Sequence, residues 1–283
     1  MVSYIRLIEL QIAPAGQLTI NTQEAIVCSM ILIKLGGSAV TDKTRPLTPR
    51  PEAIERLAME LAGFPGKKVV IHGGGSFGHF KAKEFELHKG LKEDSQREGV
   101  CQVQNDMRAL NRLIEGALRK AGVPVASIPA GAIATFDNGK LANFPSGVFS
   151  HYLDIGITPI SFGDVVVDRS RGVSICSGDD IMLKLSGDLK AERCIFVTSV
   201  DGIFARYPPG PGEVPVREIG RGDSVAFNSR DTDVTGSMRR KLDLMFEMAK
   251  PGCKVQIVNG LVPGRLADAL RGKPVVGTIV KGD

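Results

Sequence analysis

The sequence predicts an α/β protein, a three-layer αβα sandwich built on a mostly parallel central sheet. Three observations predict it. Short β-branched runs alternate with longer segments of helical periodicity. Glycine-rich turns follow several of those runs, where parallel sheets expose loops at their carboxyl edge. A chain of 283 residues, 43% hydrophobic and 24% charged, is large enough to cover such a sheet on both faces.

The strands are read at Ile31 to Leu35, Lys68 to Ile71, Val123 to Ile128, Thr158 to Phe162, Arg193 to Val197 and Lys254 to Val258. A helix from Pro51 to Leu61 follows from apolar spacing at Ile54, Leu57, Ala58 and Leu61, with Pro51 suited to its first turn. A second is expected from Ser95 to Gly122, opened by a Ser95/Glu98 capping box. A third runs from Met238 to Lys250 and stops at Pro251-Gly252. The mixed stretch from Ala130 to Cys176 suggests an antiparallel insertion, and a lobe boundary is placed near 176. Residues 1–29 read as a dispensable extension, because Met30 stands directly before the first strand. They lack the basic and apolar regions of a secretory signal.

Charge narrows the function. Lys plus Arg number 36 against 31 for Asp plus Glu, a net +5, but the basic residues are interleaved with acids. With no Trp and only three Tyr, no stacking platform for nucleic acid is evident, and a small polyanionic substrate fits better. The apolar stretch Ala25 to Leu35 is broken by Ser29 and Lys34 and falls short of the ~18 residues a membrane span needs. Five widely separated cysteines form no metal-site or redox motif and read as thiols of a reducing, cytoplasmic compartment.

Five motifs carry the chemistry. Lys34-Leu35-Gly36-Gly37-Ser38 ends the first strand and joins a cation to amides that can approach an anion closely. His72-Gly73-Gly74-Gly75-Ser76-Phe77-Gly78-His79 follows the second strand and opens a helix, a phosphate cradle more than a dinucleotide fingerprint. Ser177-Gly178-Asp179-Asp180 reads as a capped helix start, with Asp179 available to hold cationic side chains. Thr198-Ser199-Val200-Asp201-Gly202 ends another strand, and Thr232-Asp233-Val234-Thr235-Gly236-Ser237 leads into a helix bearing Lys241. Each of these last two reads equally as a capped turn. A P-loop, a nucleophile elbow and the protein-kinase signature are all missing from the sequence.

In order, KLGGS, HGGGSFGH, SGDD, VDG and DVTGSMRRK resemble the amino acid kinase superfamily across residues 31–283. GSFGH ending at His79, TDK at 41–43 and the closing VGTIV resemble its isopentenyl phosphate kinases. The resemblance implies a cytoplasmic homodimer that uses ATP and Mg²⁺ to phosphorylate isopentenyl phosphate in isoprenoid biosynthesis. It implies an acceptor lobe over 30–176 and a nucleotide lobe over 177–283, within one kinase domain. Lys34 and Lys241 would flank the transferred phosphoryl group, Lys43 would close over it, and Asp179 would orient the lysines. Gly36, Gly37, Ser38, Gly75, Asp201 and Gly236 would serve ATP, while Gly74, His79 and Gly178 would hold the acceptor phosphate. No protein-bound metal site is implied. The chain departs from the pattern at Ser199, where relatives often carry an acid, and at Ser237, where they carry a second glycine. Two alternatives share the fold: a kinase for another small acceptor such as a phosphonate, and a nucleotide-sensing regulator without catalysis.

Overall fold

The computed structural model describes residues 9–12, 18–21, 30–207, 209–210, 212–223, 226–227, 235–250 and 252–282. The expected extension over 1–29 therefore lies outside the described residues, apart from an antiparallel pair, β1 (Glu9–Ile12) and β2 (Leu18–Asn21). The Thr232-Asp233-Val234 part of the last motif lies outside them as well.

Among the described residues, eight strands form the central sheet. They are β3 (Ile31–Leu35), β4 (Lys68–His72), β5 (Val125–Ser127), β8 (Thr158–Phe162), β11 (Arg193–Thr198), β13 (Glu218–Ile219), β15 (Lys254–Asn259) and β16 (Gly277–Val280), in spatial order β13-β16-β15-β11-β3-β4-β8-β5. Every pairing is parallel except β15 with β16. The antiparallel insertion is a second sheet, β10-β9-β6-β7, made of β6 (Thr135–Asp137), β7 (Lys140–Asn143), β9 (Asp164–Asp168) and β10 (Gly172–Cys176). It is mixed, since β6 also runs parallel to β9. A small bridge joins β12 (Arg206–Tyr207) to β14 (Ala226–Phe227).

Helices cover both faces of the central sheet. One side carries α2 (Pro51–Ala62), α4 (Ser95–Lys120) and α9 (Arg265–Leu270), with α1 (Gly37–Val40) and α3 (Gly75–Glu84) at its edge. The other carries α5 (Ala130–Ile133), α6 (Gly147–Asp154), α7 (Gly178–Asp188) and α8 (Thr235–Ala249). All residues of β3, β4 and β8 are buried, which is why these strands read as continuous apolar runs. Strand alternation then assigns faces: Ile31, Ile33 and Leu35 pack under α2 and α4, whereas Leu32 packs under α7 and α8. Lys34 shares the side of Leu32. That parity delivers a lysine to the helices that begin with the SGDD and TGS motifs.

One expectation about a helix end is corrected. Asp94, not Ser95, precedes α4, and neither supplies a side-chain cap. The residues before α4 already turn helically, and the polar end is satisfied by Gln96, whose Oε1 accepts from the Lys92 and Glu93 amides while Nε2 donates to the Phe85 carbonyl. At α7 the capping box forms: Ser177 Oγ accepts from the Asp180 amide, and Asp180 Oδ2 accepts from the Ser177 amide.

Candidate active site

The parallel strands β3, β4, β8, β11 and β15 bring their carboxyl ends to one edge, and the glycine loops meet there. Gly37 and Gly75 are in backbone contact. A methyl group on Gly37 would stand 2.5 Å from Gly75 Cα. Gly75 itself has φ +50°, a left-handed conformation that a residue with a Cβ adopts only with strain. The Gly36 amide donates to the Val197 carbonyl at 2.7 Å, so it anchors the first loop to β11. Ser38 follows in the short helix α1.

Between these loops lies a charge cluster. Lys34 Nζ donates to Asp179 Oδ1 at 2.5 Å, and the two side chains are 10% and 5% exposed. The ammonium also lies 5.7 Å from the centre of the Phe196 ring. Gly178 leaves the path open, since a methyl there would stand 3.2 Å from Lys34 Cε. Lys241 reaches the same place from α8. Burial, followed by the charges of Lys34 and Lys43, pulls its ammonium down to about 8, with Asp179 opposing the shift. Lys34, Lys43, Asp179 and Lys241 thus share one electrostatic neighbourhood although they come from four separate elements of the chain.

His79 lies on α3 and is exposed, as is Lys43 on the 41–49 loop. Gly74 precedes α3, and a methyl there would stand 3.1 Å from both Gly78 Cα and Met107 Sδ, so α4 packs tightly against the His79 turn. Asp201 lies at the same sheet edge, where its Oδ1 accepts from Asn259 Nδ2 at 3.0 Å and from Arg265 Nη1. Those hydrogen bonds hold its carboxyl below the usual carboxylate range and brace the ends of β11 and β15; its charge is met by Arg265. Gly236 falls in the first turn of α8, where the backbone alone is described. Ser237 lies in the same turn.

Several contributors were not singled out from sequence. His72, at the end of β4, is fully buried, stacks on Phe162 with ring centres 5.0 Å apart, and lies 3.3 Å from Asn111 Oδ1. Burial pushes its pKa down to about 4, so it supports the glycine loop as a neutral ring. Arg240 pairs with Asp180 at 2.8 Å and ties α8 to the start of α7, each partner standing beside a member of the central cluster. Thr41 is fully buried between the two glycine loops, its hydroxyl donating to Gly37 O at 2.7 Å and accepting from Ser76 N at 3.0 Å. His72, Arg240, Asp180 and Thr41 each lie inside a motif read from the sequence, HGGGSFGH, DVTGSMRRK, SGDD or TDK, but the motif marks no separate role for any of them.

Two glycine loops around a lysine-rich centre suit polyphosphate chemistry, and relatives of the chain bear this chemistry in their names. The amino acid kinase family profile matches residues 29–259. An isopentenyl phosphate kinase of Thermoplasma acidophilum is 34% identical, with the alignment covering 89% of this chain and 100% of the relative. One from Methanothermobacter thermautotrophicus is 33% identical, covering 89% and 99%. A solved isopentenyl phosphate kinase structure superposes with a TM-score of 0.79 at 30% identity, covering 89% of this chain and 100% of its own. The chain therefore belongs to the amino acid kinase family and, within it, to the isopentenyl phosphate kinases.

Proposed function

We infer that the chain transfers the γ-phosphoryl group of ATP to isopentenyl phosphate, giving isopentenyl diphosphate for isoprenoid synthesis. The observation that carries this reading is the buried Lys34–Asp179 pair with Lys241 beside it, at the mouth of two touching glycine loops. Phosphoryl transfer needs in-line positioning and charge neutralisation more than covalent chemistry. Lysines supply the positive charge, and Asp179 keeps Lys34 aimed while limiting repulsion among the ammonium groups. The acceptor oxygen belongs to a phosphate monoester that is already anionic near neutral pH, so the reaction requires no strong general base.

On this reading Lys34 and Lys241 flank the moving group and Lys43 closes over it. Gly37, Ser38 and Gly75 serve the ATP phosphates, with Gly36, Asp201 and Gly236 shaping the nucleotide side. Gly74, His79 and Gly178 hold the acceptor phosphate; His79 binds and offsets charge rather than abstracting a proton. Mg²⁺ would be brought by the nucleotide and would supply further neutralisation of phosphate charge, with no side chain of this chain assigned to hold it. The cluster gathered here, lysines around a single committed carboxylate, fits an anionic substrate that brings its own metal. The hydrocarbon tail leaves toward α3 and α4. The cavity beside Phe85 is not its seat, because Glu84, Glu86, Lys89, Lys92 and Glu93 line it.

The acceptor side is assigned to residues 30–176 and the nucleotide side to 177–283, two halves that share one sheet. A homodimer is the assembly that follows from the family, and the edge strand β5 and the exposed Leu113 of α4 offer it a face. Among the described residues no helix is long and apolar enough to cross a membrane; a cytoplasmic site of action belongs to the proposed reading. The test is ADP release dependent on both ATP with Mg²⁺ and isopentenyl phosphate; ATP binding without turnover would refute the reading.

A further inference from the structure

Ser76 occupies the first turn of α3 and is 1% exposed. Each of its polar groups is turned to the same short loop. Its amide donates to Thr41 Oγ1 at 3.0 Å, and its carbonyl accepts from the Leu47 amide at 3.2 Å. Its hydroxyl oxygen accepts from the Thr48 amide at 3.1 Å, and the hydroxyl donates to the Thr48 carbonyl at 3.2 Å. The loop is closed at its base by the Thr41–Pro49 bridge and by the Asp42 amide donating to the Thr48 carbonyl. Lys43 rides on that loop, and His79 rides on the helix three residues beyond Ser76. A helix needs no hydroxyl at this position, since alanine is the better helix former. The hydroxyl is spent on the loop.

We propose that Ser76 is a positioning residue that clamps the Lys43 loop onto the helix carrying His79, so that Lys43 is set over the reacting groups before substrates bind. The clamp extends through Thr41 to Gly37, and thereby joins the loop after β3, the Lys43 loop and α3 into one body. A polar residue so fully committed also resists replacement, because its loss leaves the Thr48 amide without its partner, whereas the Thr48 carbonyl keeps the Asp42 amide. The catalytic consequence rests on reading Lys43 as part of the transfer machinery, whereas the clamp itself rests on geometry alone.

Two measurements on the full chain separate these statements. In Ser76→Ala, amide exchange at Leu47 and Thr48 should quicken by about tenfold while β3 and β4 keep their protection. Turnover should fall by about tenfold, yet adding Ser76→Ala to a Lys43→Ala background should change it by less than about twofold. Thr41→Val should behave like Ser76→Ala, and Thr41→Ser, which retains both hydrogen bonds, should restore turnover. Unchanged exchange in Ser76→Ala, or an equal loss with and without Lys43, overturns the proposal. Full turnover in Lys43→Ala alone would refute the reading of Lys43, and the exchange measurement would still judge the clamp.

Discussion

Lys34 and Asp179 stand 145 positions apart in the chain, and their side chains meet at 2.5 Å beneath the two glycine loops. Lys34 arrives on the face of β3 that packs under α7, and Asp179 arrives in the first turn of that helix, held by the Ser177 capping box. Asp179→Asn should leave Lys34 without its orienting charge and intensify repulsion on Lys241. Turnover should drop by ~10²-fold, the scale associated with losing a preorganised electrostatic group. Lys34→Ala and Lys241→Ala should each cost a similar factor, read in kcat with saturating substrates; near-normal turnover in a variant would remove that residue from the mechanism.

Lys241 gives a pH dependence with a definite sign. Its ammonium is pulled down to about 8, so the charged form prevails below that value and is lost as pH rises through it. The value of kcat/KM for ATP should therefore fall on the alkaline side with an apparent pKa near 8. Lys241→Arg should abolish that limb, since guanidinium keeps its charge. A profile unchanged by this substitution would place the titration elsewhere.

Asp164 carries a separate burden. Its side chain is fully buried, Oδ2 has no hydrogen-bond partner among the described residues, and Arg108 Nη1 stands 3.9 Å from it, too far for a hydrogen bond. Burial raises its pKa to about 6, against the opposing pull of the Val165 amide and Arg108. A folded pKa above the unfolded value of 3.8 means a stabilising contribution complete below about 3.8 and lost as pH rises through about 6. Asp164→Asn should consequently gain about 1–3 kcal/mol at pH 7.5, with the gain vanishing near pH 4. Urea melts at the two pH values measure it, and a gain independent of pH would contradict the electrostatic cause.

His79 should act on the acceptor. His79→Ala is expected to raise KM for isopentenyl phosphate by about tenfold while KM for ATP changes little, and His79→Gln, with a neutral donor, to recover part of the loss. Initial-rate kinetics with each substrate varied in turn decide it. Equal effects on both substrates would place His79 outside the acceptor site.

The sequence was most informative where burial is complete. Ile31–Leu35 and Thr158–Phe162 are legible to the residue, because strands covered on both faces tolerate little except apolar side chains. The three long helices were legible from their apolar spacing, although α8 begins at Thr235, three residues before the Met238 expected from periodicity. The two expected caps part ways: the Ser177 cap forms, whereas Ser95 and Glu98 have the right spacing but Gln96 satisfies that helix end instead. Motif glycines pointed to an anion site, yet not to the contact between Gly37 and Gly75, which depends on the register of β3 beside β4. Thr41 lies in TDK and Ser76 in HGGGSFGH, and nothing in either motif marks one as the partner of the other. Their partnership spans 35 positions and exists only once the strands are paired.

The measurement that tests the account most directly is a comparison of kcat/KM for ATP- and Mg²⁺-dependent ADP release across acceptors: isopentenyl phosphate, dimethylallyl phosphate, fosfomycin, UMP, glutamate, N-acetylglutamate and carbamate. The highest value is expected for isopentenyl phosphate, and Lys34→Ala should reduce it by ~10²-fold. Preference for another acceptor, or ATP binding with no turnover on any of them, would contradict the assignment.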